Sequence, residues 1–127
     1  MRGYANYMTY DNAVETGITV TDDAYEEVAR LTTPARDAGK YQVTQSMIFN
    51  LNSVTTAAYF RFSIDGGTVW SEVRLEPKDV NDQIVKNYTF VQEHAGGVFE
   101  LIVQSRKENA GDILTIHRMD IIFDRKI

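Results

Sequence analysis

Residues 41–51 read YQVTQSMIFNL, and the alternation in this stretch decides the fold. Tyr41, Val43, Met47, Phe49 and Leu51 share one parity, with Gln45 the single polar residue among them. Lys40, Gln42, Thr44, Ser46 and Asn50 take the other parity. Successive side chains of a strand point to opposite faces, so a sustained period of two predicts a β-strand. One apolar face and one wet face place that strand in an antiparallel sheet.

The same period extends in both directions. Upstream, Val14, Thr16, Ile18 and Val20 alternate across Gly17, a position suited to a bulge. Between Asp22 and Leu31 the pattern is mixed. Tyr25, Val28 and Leu31 fit a helical turn behind an Asp22 or Asp23 cap, yet Pro34 follows closely, and a strand or irregular edge is the reading. Downstream, Ala58, Phe60, Phe62 and Ile64 alternate with Tyr59, Arg61 and Ser63, and Asp65-Gly66-Gly67 forms a turn. Val69, Val73 and Leu75 follow, closed by Pro77. After the polar loop 76–82 come residues 83–93 with Ile84, Val85, Tyr88, Phe90 and Val91, a Gly96-Gly97 turn, and then Phe99, Leu101 and Val103. In the last segment, 112–123, apolar residues occupy both parities: Ile113, Leu114, Ile116, Met119, Ile121 and Ile122. That pattern predicts a strand covered on both sides or buried in an interface. Seven or eight strands at this spacing predict an all-β antiparallel sandwich, and the lack of long helical patterns excludes parallel βαβ architecture.

A chain of 127 residues is one domain in size. Residues 14–127 form the sandwich. Residues 1–13 stand apart as an N-terminal arm whose Tyr4, Tyr7, Met8 and Tyr10 make it too aromatic for a disordered tail. The arm either packs on its own domain or docks on a neighbouring subunit. There are no cysteines, so disulfides, thiolate metal sites and cysteine nucleophiles are excluded. Thirteen Lys and Arg against eighteen Asp and Glu give a net charge of -5, which offers no global support for nucleic-acid binding. No apolar run reaches the length of a membrane span, and the first residues do not read as a secretion signal.

Catalytic and metal chemistry find little footing. His94 and His117 lie far apart in a cysteine-free chain and read as structural or surface residues. No G-x-S-x-G elbow accompanies them. The acid pairs Asp22-Asp23, Glu26-Glu27 and Asp79 with Asp82 read as solvated loop carboxylates; a calcium ion at Asp79 and Asp82 has no loop motif behind it. Asn87-Tyr88-Thr89 matches the glycosylation triplet inside a strand. The glycine pairs belong to hairpins and not to phosphate cradles. The expectation is a non-enzyme with no catalytic, cofactor-binding or metal residues.

The stretch AGKYQVTQSMIFN (38–50) resembles the early core strand of tumour-necrosis-factor-like jelly rolls. Together, LTTPA (31–35), AGKYQV (38–43), FRFSIDGG (60–67), WSE (70–72), LEPKD (75–79) and the closing block 112–127 are similar to small structural proteins of tailed bacteriophages. That resemblance implies a jelly-roll topology and a virion component, foremost a capsid decoration or cement protein on the outer head surface, made in the host cytoplasm. Its implied partners are the major capsid protein and copies of itself, a homotrimer ahead of a dimer, with neither nucleic acid nor membrane. Tyr4, Tyr7, Met8 and Tyr10 would be arm contacts. The alternative is a receptor- or carbohydrate-binding module of a tail fibre, spike or neck, with Tyr59 and Trp70 stacking on sugar faces.

Overall fold

The computed structural model describes residues 10–65 and 68–126, with side chains described for 11–65 and 71–125. Eight strands follow one another: β1 (Tyr10–Val20), β2 (Glu26–Thr32), β3 (Gly39–Leu51), β4 (Ala58–Ile64), β5 (Thr68–Leu75), β6 (Ile84–His94), β7 (Glu100–Lys107) and β8 (Leu114–Lys126). They make two four-stranded sheets, ordered β1-β8-β3-β6 and β2-β7-β4-β5. Every pairing is antiparallel. Only β4 and β5 are consecutive neighbours; every other connection crosses between the sheets. Eight strands wound in this way form a jelly roll. The segment 22–31 resolves as strand, and β1 takes in residues 10–13 of the expected arm. Tyr4, Tyr7 and Met8 lie outside the described residues.

The period of two fills the space between the sheets as anticipated. Tyr41, Val43, Met47, Phe49 and Leu51 of β3 are buried, as are Ala58, Phe60 and Phe62 of β4 and Leu101 and Val103 of β7. Gln45 is buried with them; its Nε2 donates to the Ser46 carbonyl at 3.2 Å, while its Oε1 has no partner. At one end of the core Tyr41 stacks on Phe123 at 4.1 Å, and Phe123 stacks on Phe99 at 4.3 Å. The buried His94 meets all three rings edge-on and bonds through Nε2 to the Gly97 carbonyl at 2.8 Å. It is a core residue. At the opposite end Lys107 is only 4% exposed, and its ammonium donates to the carbonyls of Ala110 and Asp112, 2.9 Å each.

Two readings from the sequence need correction in β8 and β1. Opposite β3, Ile48 pairs with Arg118 but Phe49 pairs with Ile116, so His117 is an extra residue and forms a β-bulge. The bulge resets the alternation. Leu114 and Ile116 before it, and Met119, Ile121 and Phe123 after it, all face the core and are fully buried. Leu114, Ile116, Met119 and Ile121 therefore make one apolar face with a phase change, while Ile122 is half-buried on the outer face and Ile113, 56% exposed, precedes the strand. No bulge occurs at Gly17: the register with β8 continues from Thr16–Arg118 to Ile18–Ile116. Instead Gly17, opposite the bulge, takes a φ of 64°, a left-handed conformation that a side chain with a Cβ resists. It lets β1 follow the bend of β8.

Candidate functional site

The outer face of β2-β7-β4-β5 carries the one predicted contact residue whose side chain is described, Tyr59. It belongs to an interleaved ladder of arginines and tyrosines. Arg61 lies 4.1 Å from the Tyr25 ring centroid, Arg106 lies 5.4 Å from Tyr25 and 3.8 Å from Tyr59, and Arg74 lies 5.9 Å from Tyr59. Carboxylates and amides close the network. Tyr25 donates to Glu72 at 2.5 Å, Arg61 to Gln104 at 2.6 Å, and Arg74 to Tyr59, Glu76 and Glu108 at 3.0–3.1 Å. Burial and the Glu72 carboxylate push the Tyr25 phenol up to about 12. The hydrogen bonds of Arg74, that to Tyr59 foremost, raise its pKa above the ordinary arginine value. Arg74, Glu72 and the two phenols of this face are thus engaged with one another or with their neighbours. A sugar approaching Tyr59 would have to compete with the Arg106 guanidinium for the ring.

Trp70 is the extra residue of a second bulge, because Phe62 pairs with Ser71 and Ser63 with Val69; its side chain lies outside the described residues. Tyr10 opens β1 opposite Asp124. The structure therefore brings none of the predicted contact residues together into a described site.

The opposite outer face, on β1-β8-β3-β6, holds a groove that sequence reading missed. It measures about 140 Å³ and is lined by Ser46, Met47 and Ile48 of β3, Val85 and Asn87 of β6, and Arg118 and Asp120 of β8. The register explains the grouping. Asp120, Ser46 and Asn87 form one rung across three strands, and Arg118, Ile48 and Val85 form the next. Ser46 is the smallest residue of the six and sits on the central strand, so the surface dips there. The neighbouring bulge at His117 adds local twist.

The groove differs from the ladder in that, among the described residues, its guanidinium is not stacked on an aromatic ring. Arg118 donates through Nε to Asp120 Oδ2 at 2.9 Å, which leaves its two terminal nitrogens and the second carboxylate oxygen open. Among the described residues, the Ser46 hydroxyl and the Asn87 amide make no hydrogen bond to protein. Ile48 and Val85 supply an aliphatic floor, Val85 being 59% exposed. This arrangement can hold a small ligand with several hydroxyls and a C–H face. No group of three or more His, Asp or Glu that could hold a metal occurs among the described residues. Asp79 is occupied in its own turn, accepting from the Asn81 amide at 2.8 Å.

No family model matches the chain, and no curated protein matches its sequence. Solved structures do share its fold. The EclA C-terminal domain, described as a sugar-binding protein, superposes with a TM-score of 0.55 at 17% identity, over 84% of this chain and 78% of that domain. Dimeric latent PorU from Porphyromonas gingivalis gives 0.54 at 10% identity, over 92% of this chain. The insecticidal toxin Cry8Ea1 from Bacillus thuringiensis gives 0.51 at 15% identity, over 83% of this chain. The chain spans only 13% of PorU and 19% of Cry8Ea1, so it corresponds to one module of each. These likenesses are ones of fold.

Proposed function

We propose that this chain is a non-enzymatic carbohydrate-binding module whose sugar subsite is the groove over Ser46, Ile48, Val85, Asn87, Arg118 and Asp120. The observation that carries the reading is the set of unpaired donors and acceptors around an aliphatic floor. Arg118 and Asn87 would donate to sugar hydroxyls, Asp120 would accept from them, and Ile48 with Val85 would meet the C–H face of the ring. The fold shared with the sugar-binding EclA domain supports the same conclusion. A groove of this volume suits one sugar ring of roughly a dozen non-hydrogen atoms. At about -0.3 kcal/mol per atom that gives about -4 kcal/mol, a dissociation constant near 1 mM. Useful affinity would then require several sites acting together.

The test is an NMR titration of isotope-labelled protein with a panel of neutral oligosaccharides. Shift changes should cluster at Ser46, Asn87, Arg118 and Asp120, and Arg118→Ala should weaken binding about tenfold. A panel with no responding sugar, or responses confined to the Tyr59 face, would refute the assignment. The capsid-decoration reading, with a major capsid protein as partner and a homotrimer as the assembly, has the jelly-roll fold in its support. The apolar last strand no longer argues for it, because the bulge at His117 puts Leu114, Ile116, Met119 and Ile121 on one buried face.

A further inference from the structure

A sheet edge presents unpaired backbone donors and acceptors, and native proteins interrupt such edges unless they are used. Two of the four edges here are bulged, and a third keeps its register but holds a left-handed glycine. β1 is bent by the left-handed Gly17. β2 is bulged at Val28, since Glu27 pairs with Gln104 and Ala29 with Val103. β5 is bulged at Trp70. The fourth edge, β6, runs for 11 residues, and its pairing with β3 is unbroken from Gly39–His94 to Phe49–Ile84. It also carries the two most exposed large apolar side chains among the described residues, Val85 and Val91, each 59% exposed.

We propose that β6 is the pairing edge for a second copy of this chain, in an antiparallel two-fold arrangement centred on Tyr88. The occupant follows from the symmetry of the strand. Val85 and Val91 lie three residues either side of Tyr88, and Asn87 and Thr89 lie one residue either side. All four are on the outer face. The two-fold sets Val85 opposite Val91 twice and Asn87 opposite Thr89 twice, which are apolar-on-apolar and polar-on-polar cross-strand pairs. Lys86 falls opposite Phe90 and Glu93 opposite Gln83, so no like charges meet. An isologous contact of this kind closes at two subunits and does not propagate. The result is one continuous eight-stranded sheet whose outer face carries both grooves, one on either side of the axis. Only that pairing of binding sites rests on the carbohydrate reading; the edge contact stands without it.

The absence of cysteine makes the register directly testable. Val85→Cys and Val91→Cys variants of the full chain are oxidised separately and as a mixture. In the proposed dimer a residue at 85 lies beside 91 of the second copy and about 20 Å from its own counterpart, at roughly 3.3 Å per residue. The mixture should therefore give the 85–91 disulfide in large excess over either homotypic product. Analytical ultracentrifugation of the parent chain should show a monomer–dimer equilibrium, and Val91→Lys, outside the groove, should raise its dissociation constant about tenfold or more. A parent that stays monomeric at millimolar concentration overturns the proposal. So does a dimer unaffected by Val91→Lys, or one that cross-links homotypically. Sugar titrations are read separately, so loss of the dimer and loss of glycan binding are distinguishable outcomes.

Discussion

Deleting His117 should unfold the protein, whereas replacing it should do little. The bulge residue keeps Leu114 and Ile116 in phase with Met119, Ile121 and Phe123, and all five are fully buried. Removal of one residue forces a choice between the two halves of β8. The shorter half yields, and Leu114 and Ile116 rotate to the outer face. Losing a buried Leu or Ile side chain costs about 2–5 kcal/mol each, so the deletion should cost about 4–10 kcal/mol. That is comparable to the roughly 5–15 kcal/mol that holds a typical domain folded. The control, His117→Ala, retains the phase and loses only the exposed bond to Asn50 at 2.6 Å, worth about 1 kcal/mol. Urea unfolding followed by circular dichroism separates the two. A deletion variant whose midpoint matches that of His117→Ala would show that the phase change carries no energy and would refute the argument.

Lys107→Met should preserve packing but leave the Ala110 and Asp112 carbonyls without their donor, lowering stability by about 2–4 kcal/mol and speeding amide exchange in loop 108–113. Gly17→Ala meets no atom within 4 Å of the new Cβ, so its cost should be the left-handed backbone alone, about 1–2 kcal/mol by thermal melting. Tyr25 has its pKa raised from 10.0 to about 12 in the fold, by burial foremost. Between those values the unfolded chain ionises this residue first, so its stabilisation is complete below pH 10 and is lost as pH rises. Tyr25→Phe should flatten that alkaline limb in a series of denaturation curves.

The strands with clean alternation were legible because nothing interrupts their phase. β3, β4 and β7 carry no extra residue themselves, because the bulges opposite them fall on β8, β5 and β2, so parity alone named Tyr41, Phe60 and Leu101. Segments carrying an extra residue misled. In β2, Val28 and Ala29 are adjacent and both buried, which reads as neither helix nor strand. In β8 the same device imitated a second apolar face. The groove was illegible for another reason. Its rungs join residues from three strands about forty and seventy positions apart, and only the register assembles them. One signal was available: Ile48 breaks an otherwise polar row on the wet parity of β3, and it sits on the floor of the groove.

The pairing of the first strand with the last has a mechanical consequence. Tyr10 lies across from Asp124, and β1 runs away from that point while β8 runs towards it. The two ends of the domain leave the sheet side by side. Tension applied through them would load the β1–β8 ladder as a zipper, one rung at a time, and not in shear across many rungs at once. Once β1 peels away, β8 becomes the edge of its sheet and the core loses the cover of Ala13, Ile18 and Val20. Held between two neighbours, this module would yield at low force from its terminal edge, while a load entering through β6 would be shared along the whole strand.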